Sequence, residues 1–220
     1  MEKVFRVFRF DIVTCRRSMA TLFASFFLFG LYYGLAISNL LAIPVSVMIW
    51  VAMIAGLPYV LRDKYGLDKL LATFPLNRKT IIRGRFLLSL VIGIMGIAMS
   101  EIMVCLSAGI FRIGFDIREM YFVLCLSFLL YCLVITVHMP LYFRFPNTQV
   151  IQMSPMLVYF SYIIATHLYY AGLFHVDLEP AVSIAWRFSA LTLFATLLLA
   201  ALILYASYAI SCKVYINKDL

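Results

Sequence analysis

The chain has 220 residues, 65% hydrophobic and only 13% charged, with a mean hydropathy of +1.02. Soluble domains lie nearer half apolar and a quarter charged, so a water-soluble globular protein is excluded. The net charge of +8 comes with no base-stacking motif or basic fold of the kind that reads DNA or RNA. Nucleic acid is not an expected partner.

At the front, "VFRVFRFDIVTCRR" predicts an amphipathic surface helix over residues 1–18. On a helical wheel Val4, Phe5, Val7, Phe8 and Ile12 share one face, and Arg6, Arg9, Arg16 and Arg17 gather on the other. Asp11 and Val13 fall on the wrong sides. The basic residues lead into no short apolar core with a small-residue cleavage site, so no cleavable signal is expected.

Six apolar runs follow, each near the roughly 20 residues that a spanning helix needs. They are Met19–Ile37, Leu40–Leu61, Phe86–Phe111, Met120–Phe143, Met153–Phe174 and Arg187–Ile210. Strands of a membrane barrel are about 10 residues long, so the runs predict an all-α integral membrane protein in one unit, residues 1–220. Placing both termini in the cytoplasm puts 15 Lys and Arg residues on that side and only Arg112, Arg118 and Arg187 on the other. That is a strong positive-inside bias.

In the first span Gly30 and Gly34 form G-x-x-x-G, a spacing that lets helix backbones approach closely, and they are candidate dimer contacts. Ser89/Gly93 and Gly96/Ser100 repeat the small-residue spacing in span three. Pro44, Pro58, Pro140 and Pro155 are candidate kinks.

Between spans two and three the segment 62–85 carries seven basic and two acidic residues. Within it Leu67, Leu70, Leu71 and Phe74 recur at i, i+3, i+4 and i+7, one face of a short helix. Pro75 disfavours its continuation, and Asn77 is a natural N-cap for a new helix running into span three. Arg78, Lys79, Arg83 and Arg85 crowd behind that cap, where headgroups would anchor them. A short helix with an apolar ridge, held clear of the bilayer by charge, suits a partner's groove.

Glu101 is the one acid inside a span. A charge at mid-bilayer costs about 3 kcal/mol on insertion scales, so it faces a pathway or another helix, or is neutral. His138 and His167 read as packed histidines. His175, Asp177 and Glu179 alternate in the last outer loop, with a spacing that matches no established metal-ligand set. Cys15, Cys105, Cys125, Cys132 and Cys212 show neither CxxC nor metal spacing and read as free thiols.

The stretch "YGLDKLLATFPLNRKTIIRGRFL" resembles the cytoplasmic loop of type 2 ATP-binding-cassette (ABC) exporter permeases. Phe74-Pro75, Arg78-Lys79 and Ile81-Ile82 carry the likeness, while Leu67 stands where tryptophan is common and Asn77 where serine is. The tail "SYAISCKVYINKDL", with residues 211–220 beyond the last span, is similar to that family's ending at Ser211, Lys213 and Tyr215. Among small bacterial members the likeness points toward exporters of phenol-soluble modulins or similar peptides. The resemblance implies that the loop holds a coupling helix, with Leu67, Asp68, Leu70, Leu71, Phe74 and Pro75 seated on a separate nucleotide-binding ATPase subunit. It implies two such subunits, a second copy of the chain or a sister permease, and a bacterial plasma membrane. ATP and Mg would be bound by the partner, since no G-x-x-x-x-G-K-[ST] phosphate cradle occurs here.

Two other functions compete with export of an amphipathic or apolar cargo. A membrane enzyme built on Glu101, His138 and His167 would need those groups at one depth, and the topology sets them at different depths. The substrate-binding membrane subunit of an energy-coupled importer also has about six spans, but has no use for a long docking loop between spans two and three.

Overall fold

The computed structural model describes residues 2–37, 40, 42–59, 61, 77–112, 114, 116–145 and 179–216. Every regular element among them is a helix: α1 (Glu2–Ile37), α2 (Ala42–Ala55), α3 (Arg78–Phe111), α4 (Ile117–Arg144), α5 (Glu179–Arg187) and α6 (Ser189–Ile216). Three helical stretches, Arg78–Ile110, Ile117–Arg144 and Ser189–Tyr215, are long and apolar enough to cross a membrane. They coincide with the third, fourth and sixth expected spans. The shorter apolar stretch Ile43–Tyr59 falls in the second, and the first lies within α1. The fifth run, with His167 and Pro155, lies outside the described residues, as do the loop 62–76 and residues 217–220.

Local chemistry sets the helix ends. Asn77 is the N-cap of α3, and its side chain accepts a hydrogen bond from the Lys79 N–H at 3.2 Å, satisfying one of the donors that a helix start leaves unpaired. The helix therefore begins eight residues before the apolar run. It ends at Arg112, which turns left-handed (φ 53°, ψ 36°) and donates its N–H to the Ala108 carbonyl. Asp116 caps α4 by accepting from the Arg118 N–H at 2.8 Å. That bond, joined by the Arg118 guanidinium, holds the Asp116 carboxyl below the usual carboxylate range.

The prolines differ in effect. Pro44 lies in the first turn of α2, where a missing N–H costs nothing. Pro58 follows the turn at Gly56 that interrupts the second apolar helix. Pro140 lies inside α4 and frees the Thr136 carbonyl from its helical bond. The Ser207 hydroxyl of α6 donates to that carbonyl at 3.1 Å, so a second helix repairs the break.

Among the described residues the largest fully buried side chains (Tyr59, Tyr131, Tyr142, Phe143, Met48 and Met103 among them) come from the α2 region, α3 and α4. α3 packs against α1 and α2, and α4 packs against α2 and α6. The small residues of span three serve these internal contacts. A side chain on Gly93 would strike the Tyr131 ring of α4, and one on Gly96 would strike Val51 of α2.

The front of the chain departs from expectation. Instead of a separate surface helix ending near residue 18, α1 runs unbroken through 36 residues. Its buried stripe is Val7, Asp11, Cys15 and Met19, spaced by four, while Phe5 and Val13 are exposed. Packing against α3 chooses this stripe over the broader apolar face of the wheel.

Candidate functional site at the base of the basic loop

The first three turns of α3 leave the basic loop and meet four other parts of the chain. On one side Arg78 donates to the Tyr215 carbonyl of α6 at 3.3 Å, and the Arg83 Nε donates to the Tyr208 hydroxyl at 3.0 Å. The Phe86 ring meets Tyr208 edge-on, with centroids 5.7 Å apart. These contacts join the start of α3 to the last turns of α6.

The opposite side faces α1. Gly84 has no side chain to hold α1 away. A Cβ there would lie 2.9 Å from the Val7 Cβ and 3.2 Å from the Val4 carbonyl, distances that real side chains do not tolerate without a shift of the backbone. One residue on, the Arg85 Nε lies 3.5 Å from the Asp11 Oδ2, with both side chains almost wholly buried (2% and 6% exposed).

Aromatic rings close over the pair. The Arg85 guanidinium carbon stands 4.5 Å from the centroid of Tyr59, just beyond α2, and 6.0 Å from that of Phe143 on α4. Tyr59 stacks on Tyr142 at 4.8 Å and meets Phe143 edge-on at 5.3 Å. Phe143 in turn contacts Tyr215 at 5.1 Å. A guanidinium over an aromatic face is attracted by the ring quadrupole, more strongly when dry. Buried charges of this kind persist only when paired. Cys15, one turn beyond Asp11, shares the shelter: burial pushes its thiol up to about 12, with the Asp11 charge adding and the Arg85 charge opposing.

The anticipated residues separate into groups. Arg78 and Arg83 reach α6, and Lys79 is exposed beside the loop. Arg85 is a correction: grouped with the headgroup anchors in the sequence, it is enclosed by protein and its charge meets Asp11. Leu67, Asp68, Leu70, Leu71, Phe74 and Pro75 lie outside the described residues. Gly30 and Gly34 lie near the end of α1, and their surroundings are likewise outside them. Glu101 is half-buried on α3, far along the helix from this junction, and among the described residues its Oε1 is buried with no hydrogen-bond partner.

His138 is buried with its ring 5.8 Å from that of Tyr142, a packed histidine. All five cysteines are free thiols. No group of three metal-ligating side chains occurs among the described residues.

Sequence reasoning missed Asp11 and Tyr59. For Asp11 a signal was present, because a lone acid on the apolar side of an amphipathic wheel needs a buried cationic partner. Tyr59 carries none, since its role comes from where α2 ends. Ion pairing, hydrogen bonds and stacked rings make the arrangement a seat for the end of the basic loop. Residues 8–216 match the model of a family described as ABC-2 family transporter protein. No curated protein matches the chain.

Proposed function

The chain belongs to the ABC-2 family of transporter proteins, and from that membership we propose that it is the permease of an exporter driven by ATP hydrolysed on a partner. The family makes it a membrane subunit of an ABC transporter and not itself the enzyme. In this reading the loop 62–76 is the coupling element. Leu67, Leu70, Leu71 and Phe74 present an apolar ridge to a nucleotide-binding subunit, Asp68 adds a charged contact, and Pro75 ends the ridge. Lys79 holds the base of the loop at the headgroups, beside Arg78 and Arg83. Two ATPase subunits and a second permease, identical or sister, complete the assembly, with Gly30 and Gly34 at the permease contact. Both termini face the cytoplasm of a bacterial cell.

The observation that carries this reading is the seating of α3. Its first turns are held at once by α1, α6, Tyr59 and Phe143, so a push on the loop reaches every one of those parts. A loop that served topology alone would need only its charges. Cargo follows from composition: the spans offer few polar handles, which suits an amphipathic or apolar molecule, a peptide before a lipid or drug. Glu101, with its unsatisfied oxygen, is the residue assigned to the pathway or to a contact with a second permease.

Co-expression with a nucleotide-binding subunit, followed by co-purification, tests the coupling. Phe74→Asp is expected to insert normally, lose the ATPase subunit and abolish its stimulation. A variant that retained a normally stimulated ATPase would remove the docking role from this loop. ATP-dependent accumulation of a fluorescent amphipathic helical peptide in inside-out vesicles tests the cargo class.

A further inference from the structure

Of the ion pairs Arg6–Glu2, Arg118–Asp116 and Arg85–Asp11, the first two lie within a single helix or its cap and are exposed, whereas the third is buried and joins two helices. Arg85 stands eight residues after Asn77, about 12 Å along the helix axis, close to where the basic loop delivers the chain. The contact is built in two steps along α3. Gly84 lets α1 approach until Val7 reaches the backbone, and Arg85 then meets Asp11 one turn further along α1. Apolar surfaces slide over one another at little cost because their attraction has no direction. A buried charge pair does not, because separating it takes each charge away from its opposite in a dry setting. The rings of Tyr59 and Phe143 exclude the water that would otherwise relieve the loss.

We propose that Asp11 is a positioning residue: through its buried ion pair with Arg85 it locks the front of α1 to the start of α3, so that displacement of the loop 62–76 carries α1 with it. The transmission half of this inference rests on the reading of that loop as the ATPase contact; the lock itself does not. Asp11 thereby acquires a role that no property of a membrane-surface helix would give it. The arginines exposed on α1 leave the lock untouched, since they point away from α3.

The test uses the whole chain in nanodiscs, with its native cysteines replaced and single cysteines introduced at the exposed positions Arg9 and Lys79. Spin labels at both sites report the separation of α1 and α3 in the permease alone. In the native pairing the distribution is expected to be narrow; in the variant Asp11→Leu/Arg85→Met it is expected to be at least twice as wide. This double variant keeps the fold accessible, because apolar replacement of both members of a buried pair is frequently neutral for stability. Asp11→Glu, which keeps the charge, is expected to restore a narrow distribution. An unchanged width in the double variant overturns the lock whatever nucleotide does.

A fluorophore at Arg9 or at Lys79, in the complex with the ATPase subunit, then reads the response to ATP plus vanadate. Both positions are expected to respond in the parent chain; in the double variant Lys79 is expected to respond fully and Arg9 to lose at least four-fifths of its change. A full Arg9 response in the double variant overturns the transmission role. Absence of any response at Lys79 in the parent complex counts against the coupling role of the loop and against transmission with it, while the spin-label result still decides the lock.

Discussion

Helices α3 and α6 are equally apolar in their most hydrophobic stretch, yet their surroundings have little in common. α3 buries a broad face against α1, α2 and α4, with Ile82, Leu88, Ile92, Met103 and Val104 inside. α6 buries a single narrow stripe, Thr196, Ala200, Ser207, Ser211 and Tyr215, and exposes Leu191, Phe194, Leu198, Leu202 and Tyr205. Hydropathy identifies a helix suited to lipid and says nothing of its neighbours. Those are chosen by small residues, which let backbones close in, and by polar groups that demand partners. α3 has both along its length: Gly84, Ser89, Gly93, Gly96 and Ser100, and the buried Arg85. α6 turns its large side chains outward, as a lipid-facing surface would.

The contrast breaks most sharply at Arg85. Arg85→Met alone takes the buried guanidinium away from Asp11 and is expected to cost about 3–5 kcal/mol, the usual penalty for breaking a buried pair. It would be read as a lower folded fraction in detergent. The Cys15 thiol is a second readout. With its pKa near 12 it is protonated and sheltered at pH 8, and alkylation needs the exposed thiolate. Its modification is expected to accelerate at least tenfold in the variant. An unchanged rate would mean that α1 stays seated without the pair.

A smaller effect is expected where α4 and α6 meet. Ser207→Ala leaves the Thr136 carbonyl, freed by Pro140, with no donor from α6, a loss of about 1–2 kcal/mol. In a Pro140→Ala background the helix supplies its own N–H to that carbonyl, and the same change is expected to cost less than half as much. Equal penalties in both backgrounds, measured by thermal unfolding, would show that Ser207 acts by other means. Least of all, Leu198→Ala on the outward face of α6 is expected to shift stability by under about 0.5 kcal/mol. A large effect there would show that this face meets protein and not lipid.

Legibility in the sequence followed the range of the interaction. Asn77 was readable as a cap because an N-cap bonds its own helix two residues away, and the third, fourth and sixth spans were readable because about 20 apolar residues admit few other fates. The unbroken α1 was not readable. Val7 and Asp11 are buried where α3 supplies Gly84 and Arg85, far along the chain. Arg85 itself was indistinguishable from Arg78 and Arg83 by spacing or composition; Asp11 separates it from them. The docking role proposed for residues 67–75 rests on the sequence pattern and on the match to the family.

One consequence follows from the length of α1. At 1.5 Å per residue its 36 residues extend about 54 Å, against a hydrocarbon slab of about 30 Å. A substantial part of the rod must stand outside the oil, and α3, which begins eight residues before its apolar run, accompanies it there. Asp11 and Arg85 both precede the apolar runs of their helices, which sets them toward this protruding end, in a chamber walled by tyrosine and phenylalanine. Since protein and not lipid makes that chamber dry, it should survive extraction, and membranes of different thickness should leave it unaltered.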